Sequence, residues 1–179
     1  MRMARLLVLL GVLAGFTTSV TAQQAYSLGV GIADVTGPAA EVTFMGYARL
    51  EQKGGGIHLR QFSRAFIFDD GERRVVFVSV DVAMISYALQ KEVLGRLQIL
   101  FGRQLYTEQN VILSATHTHA APGGYNQYLL YDISVLGFVK QSFDALVTGI
   151  VKFTETTRKH NRIVISVITL MTTNQVTKQ

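Results

Sequence analysis

Cysteine and tryptophan are absent from the 179 residues, and only 2 prolines occur. Without cysteine there is no disulfide scaffold, no thiol nucleophile and no thiolate zinc site. Charged residues are scarce, at 16% against 49% hydrophobic, and the 16 glycines follow no period. That balance excludes a disordered, collagen-like or low-complexity chain. The formal charge is +5, but the lysines and arginines form no basic stripe, so nucleic acid is not an expected partner. No internal repeat is visible, and the length suits one domain rather than two large ones.

What is present begins with a targeting pattern. Arg2 and Arg5 precede an apolar run from Leu6 to Phe16, and a polar stretch closes on Val20-Thr21-Ala22. Small residues at the last and third-last positions fit signal-peptidase cleavage after Ala22. The run falls short of the roughly 20 residues that a transmembrane helix needs. Residues 1–22 are therefore expected to be a cleaved signal peptide, the chain secreted or extracellular, with association at the cell surface also open. Removing Arg2 and Arg5 lowers the charge from +5 to +3.

The remainder alternates strand and helix patterns. Ala25–Ala33 is strand-like and runs into the turn Asp34-Val35-Thr36-Gly37-Pro38. Ala65–Asp69 and Val75–Val80 are apolar and β-branched runs joined by Asp70-Gly71-Glu72, a hairpin signal. Tyr87–Phe101 and Phe138–Phe153 carry helical apolar spacing. Asn110–Ala115 is nearly all apolar, the pattern of a strand buried on both faces. Gly46–Arg60, with three consecutive glycines, reads as a long loop. Ile163–Leu170 reads as a strand with no partner left in the sequence. The order predicts a mixed α/β fold.

The chemistry concentrates in Asn110–Tyr125, NVILSATHTHAAPGGY. A strand delivers His117 and His119 into a loop, where α/β proteins commonly place functional groups. In an extended backbone residues two apart share a face, so the two imidazoles can start a metal site, although a catalytic zinc needs three protein ligands. A hydrogen-bonded structural role for the pair stays open. Asp34 is read as a turn former, and Asp81, after a strand, as a group orienting a histidine, helping a metal or capping the next element. His58 lies in the glycine-rich loop. Ser114 lacks a G-x-S-x-G elbow, and the glycine triplet lacks the Lys and Ser or Thr of a phosphate loop.

The segment NVILSATHTHAAPGGY resembles the signature of the neutral ceramidase family, which usually reads close to THTHSGPGGY. The resemblance extends through GVGIADVTGPAAEVTFMGYA (Gly29–Ala48), GGIHLRQFSRAFIF (Gly55–Phe68), VFVSVDVAMIS (Val76–Ser86) and YDISVLGFVKQSFDALVTGIVK (Tyr131–Lys152). It implies the N-terminal portion of a mixed α/β catalytic domain, strands alternating with helices. The implied activity is zinc-dependent hydrolysis of the N-acyl amide of ceramide, giving sphingosine and a fatty acid in sphingolipid metabolism. By the same resemblance His117 is a zinc ligand and His119 sits in the active site, polarising the amide or holding the oxyanion. His58 contributes its main-chain carbonyl to a structural Mg or Ca ion. Ceramide and related sphingolipids are the implied partners. A membrane surface is a further one, with Phe44, Met45 and Tyr47 either on an apolar face toward it or in the core.

The sequence departs from that family in two respects. Ala120-Ala121 replaces the usual Ser-Gly. The family's other zinc ligands and its serine lie well beyond the position of Lys152. Residues 23–157 are expected to be the N-terminal part of the catalytic domain and residues 158–179 a divergent tail. The chain alone is then expected to bind zinc weakly and to be inactive. The alternatives are a non-catalytic secreted lipid-binding fragment and a truncated isoform or gene model.

Overall fold

The computed structural model describes residues 25–160 and 162–166; the signal peptide expected at 1–22 and most of the tail at 158–179 lie outside them. Among the described residues seven strands and three helices follow one another in a mixed α/β order. They are β1 (Ala25–Asp34), β2 (Ala40–Thr43), β3 (Lys53–Gly55), β4 (Phe62–Asp69), β5 (Arg74–Val80), α1 (Tyr87–Phe101), β6 (Val111–Ala115), α2 (Leu129–Asp132), α3 (Lys140–His160) and β7 (Arg162–Ser166). A 3-10 turn, Ile133–Val135, follows α2. The main sheet has the order β6-β5-β4-β1-β7. β1 and β5 flank β4 antiparallel, and β6 runs parallel to β5.

Local chemistry accounts for the boundaries. Asp70 closes the β4–β5 turn by accepting from the Glu72 and Arg73 N–H groups at 2.9 and 2.6 Å. Those bonds hold its carboxyl below the usual range. Asp34 likewise turns the chain after β1, accepting from Thr36 N–H at 2.7 Å and from Arg60 at 2.8 Å. The Thr36 side chain leads in lowering its pKa, with the Thr36 N–H and Arg60 adding to it. Ser86 caps α1, its hydroxyl accepting from Leu89 N–H at 3.2 Å.

Alternation along the strands separates two faces. Ala65, Ile67, Val76, Val78 and Val111 are buried in one core with Leu89, Val93 and Leu97 of α1 and Leu146, Val147 and Ile150 of α3. On the opposite face Phe66, Phe77 and Ile112 stand in register across β4, β5 and β6. That face is open: Ile32 is 59% exposed, Phe68 51% and Ile112 50%. An apolar surface of this kind favours association. Phe77→Lys is expected to lower both the fluorescence of an apolar-surface dye and light scattering, with far-ultraviolet circular dichroism unchanged. Dye binding equal to that of the unaltered chain would show that the face is not the exposed surface.

Three sequence expectations change. β6 is an edge strand with one face exposed, not a strand buried on both sides, because nothing pairs beyond it among the described residues. The loop expected at Gly46–Arg60 contains β3, which pairs antiparallel with β2 across a register shift. The strand-like run after Arg162 does find a neighbour. β7 lies beside β1, a pairing too distant in sequence for local pattern to reveal.

Candidate active site

β6 delivers the histidine pair to the end of the sheet. Thr116 N–H still donates to the Val80 carbonyl at 2.9 Å. The chain then turns at His117, whose φ of 62° lies in the left-handed region that a non-glycine residue seldom occupies. Such strain costs on the order of 1–3 kcal/mol and clusters at functional sites. This turn, rather than extended alternation, brings the rings together. Their centroids are 4.8 Å apart and the two Nε2 atoms 3.2 Å apart.

The protons follow from the partners. The Ala83 carbonyl can only accept, so His117 Nδ1, 2.7 Å away, bears the hydrogen, and Nε2 of the neutral ring is a bare lone pair. His119 Nε2–H then donates to that lone pair. His119 Nδ1 is left bare, buried and without a hydrogen-bond partner. The Tyr47 ring meets His119 edge-on at 4.1 Å. Gly46 backs it so closely that a Cβ there would lie 2.4 Å from the ring.

The loop after the pair is fixed from beneath. Gly123 N–H donates to the Thr43 carbonyl at 3.0 Å and Val139 N–H to the Gly124 carbonyl at 2.7 Å. A Cβ on Gly123 would lie 2.4 Å from Val135. Asn126 donates to Asp132 at 3.5 Å and to Met45 Sδ at 3.2 Å. Burial raises the Asp132 pKa. Tyr125 is fully buried, and its hydroxyl bonds both the N–H and the carbonyl of Met84 at 3.2 and 3.1 Å. Desolvation pushes that phenol up to about 12.

Other residues singled out in the sequence are placed elsewhere. Asp81 accepts from Phe62 N–H at 2.9 Å and Arg64 at 2.8 Å, so it ties β4 to β5 rather than orienting a histidine. His58 is exposed at the rim of a cleft of about 350 Å³ that also touches Thr118 and Ala120. The cleft lies behind the motif: neither His117 nor His119 lines it, so the structure does not join His58 to the pair. Met45 is core, at 5% exposure, whereas Tyr47 is 65% exposed. Tyr125, Gly46 and the Ala83 carbonyl went unmarked in the sequence. Tyr125 at least stands inside the motif, while the other two carry no local signal. Among the described residues no three His, Asp or Glu side chains converge as a metal site; His117 Nε2 is the atom here best suited to be one ligand.

The sequence and the fold are similar to those of known proteins. Residues 26–177 match the family described as neutral/alkaline non-lysosomal ceramidase, N-terminal. A neutral ceramidase of Drosophila pseudoobscura pseudoobscura is 52% identical over 130 residues, which are 72% of this chain and 18% of that protein. A crystal structure of neutral ceramidase from Pseudomonas aeruginosa is similar, with a TM-score of 0.74 and 46% identity over 78% of this chain and 22% of that one. A ceramidase complexed with C2 is similar to the same degree, TM-score 0.74 at 46% identity over 78% of this chain and 22% of that one. The chain thus spans about a fifth of the length of the relatives it matches.

Proposed function

The chain belongs to the neutral/alkaline non-lysosomal ceramidase family, and from that premise we propose that it carries the N-terminal share of a zinc-dependent site hydrolysing the N-acyl amide of ceramide. The products are sphingosine and a fatty acid. The observation that carries this reading is the hydrogen bond from His117 Nδ1 to the Ala83 carbonyl. It leaves Nε2 bare and its ring held by a carbonyl, the arrangement that presents an imidazole to a metal. The relatives' name, neutral ceramidase, supplies the substrate class.

An amide carbonyl is a poor electrophile, and a bound zinc supplies Lewis-acid polarisation or a water of lowered pKa. This chain's residues do the rest by position. His117 Nε2 offers one ligand. Once that lone pair is engaged elsewhere, the His119 Nε2–H that now points at it is free to donate to the amide oxygen and the charge that develops there. The open edge of the site, where His117 is exposed, leaves room for the further ligands. The main-chain carbonyl of His58, on its exposed loop, would be one ligand of a structural Mg or Ca ion. The export signal at 1–22 places the protein outside the cell.

A membrane surface is the natural source of a two-tailed lipid. Leu129, Leu130, Ile133, Leu136 and Phe138 form an exposed apolar stretch on the segment packed under the histidine loop. No single described helix is long and apolar enough to cross a membrane. The same stretch favours the second reading, a non-catalytic lipid-binding fragment, for which binding to ceramide vesicles without turnover is the mark.

The test is a graft. Residues 25–152 replace the corresponding segment of the Pseudomonas aeruginosa enzyme, and turnover of a fluorescent ceramide is followed. The chimera is expected to hydrolyse ceramide, to stop on chelation and to recover with zinc. The chain alone is expected to bind zinc weakly by calorimetry and to turn over nothing. A folded chimera that is inactive, or whose activity survives His117→Ala, would sink the reading.

A further inference from the structure

The segment Asp81–Ser86, which joins β5 to α1, carries the carbonyl that sets His117, yet it is neither strand nor helix. Its two ends are held: Asp81 N–H donates to the Phe62 carbonyl at 3.0 Å, and Ser86 caps α1. Between them Met84 meets a phenol. Tyr125 accepts from Met84 N–H at 3.2 Å and donates to the Met84 carbonyl at 3.1 Å. Both polar atoms of one residue are thus gripped by one hydroxyl from 41 residues away.

Tyr125 is itself immobilised. Its ring is 0% exposed, its carbonyl accepts from Ser86 Oγ at 3.4 Å, and the preceding Gly124 is tied to Val139. A buried phenol needs partners for its hydroxyl, and phenylalanine would fill the same volume without that demand. The hydroxyl is therefore placed for what it holds. What it holds is the peptide next to Ala83, whose carbonyl accepts from His117 Nδ1 at 2.7 Å.

We propose that Tyr125 is a positioning residue for His117. Its hydroxyl clamps Met84, the clamp fixes the direction of the Ala83 carbonyl, and that carbonyl decides which imidazole nitrogen bears the proton. The structural part stands on these contacts alone; its consequence for a metal rests on the reading of His117 as a ligand. A neutral imidazole free to exchange tautomers presents Nε2–H part of the time, and in that form Nε2 binds nothing. Loss of the clamp weakens metal capture without removing any ligand.

The experiment uses the full chain labelled with ¹⁵N and reads imidazole nitrogen shifts at pH about 9, above the ordinary histidine range. In the unaltered chain His117 is expected as the Nδ1–H form and His119 as the Nε2–H form. Tyr125→Phe should turn His117 into a tautomer mixture and, in the chimera with the Pseudomonas aeruginosa enzyme, lower zinc affinity about tenfold or more. Ser86→Ala loosens the same segment but keeps the phenol, so it should reduce thermal stability and leave the His117 tautomer locked. A folded Tyr125→Phe chain with His117 still purely Nδ1–H overturns the proposal. Should that variant not fold, the unaltered chain decides. A Met84 amide exchanging as fast as a solvent-exposed one, or His117 found in the Nε2–H form, overturns it equally. In the chimera, zinc that leaves the His117 nitrogen shifts unmoved removes the ligand role while the tautomer result stands.

Discussion

Gly149→Ala is expected to destabilise the fold by about 2 kcal/mol, and Gly149→Leu to abolish cooperative unfolding. Alanine in mid-helix normally gains about 1 kcal/mol over glycine, so propensity alone predicts the opposite sign. Space decides instead. A Cβ at this position of α3 would lie 2.5 Å from the Asp34 carbonyl oxygen and 2.5 Å from Val35 Cγ1. One of those neighbours is backbone at the end of β1, fixed by the ladder to β4, and cannot swing away like the tip of a side chain. The helix must retreat, and Leu146, Val147 and Ile150, all buried on the same side, retreat with it. Overpacking typically costs about 1–3 kcal/mol for added methyl groups and more for a branched side chain. Urea denaturation followed by circular dichroism measures the effect. Gly149→Ala as stable as the unaltered chain would mean that α3 does not sit this close to β1.

Such close approach explains which parts of the fold were legible in the sequence. Tyr87–Phe101 reads as a helix end to end because its apolar residues repeat on one face, and the structure gives the same bounds. β4, β5 and their turn read correctly because Asp70-Gly71-Glu72 makes its bonds within four residues. β2 and β3 escaped notice because their pairing joins Ala40 to Gly55 and Thr43 to Lys53 across the loop, with no alternation to mark it. The apolar run of β6 could not say which of its faces would be covered, since that depends on what packs against the sheet. At the site, the motif marked His117 and His119 by their types and spacing. The left-handed turn that unites them was invisible, because the φ of His117 is imposed by its surroundings rather than favoured by histidine. The Ala83 carbonyl was invisible too, since any residue at position 83 would present one.

Gly46→Ala is expected to disable His119 while sparing His117, and that selectivity is its value. The added Cβ would stand 2.4 Å from His119 Cγ and 2.7 Å from Nδ1 and Cδ2, distances at which atoms cannot coexist. Gly46 also has φ 143°, where an L-residue is strained by about 1–3 kcal/mol, so the loop and the ring must both shift. His119 then leaves the edge of Tyr47 and the Nε2 of His117. His117 keeps its bond to Ala83, which lies on a different segment. In the chimera with the Pseudomonas aeruginosa enzyme, ceramide turnover should fall by about 10²–10³-fold, the scale of losing one donor to a developing oxyanion, with zinc affinity nearly unchanged. His119→Ala should cost a similar factor, and the double variant little more than either alone, because both remove one and the same group. Additive losses would place the effect of Gly46 elsewhere than on His119. Equal loss of zinc binding in Gly46→Ala would mean that the two histidines act as joint ligands rather than as ligand and donor.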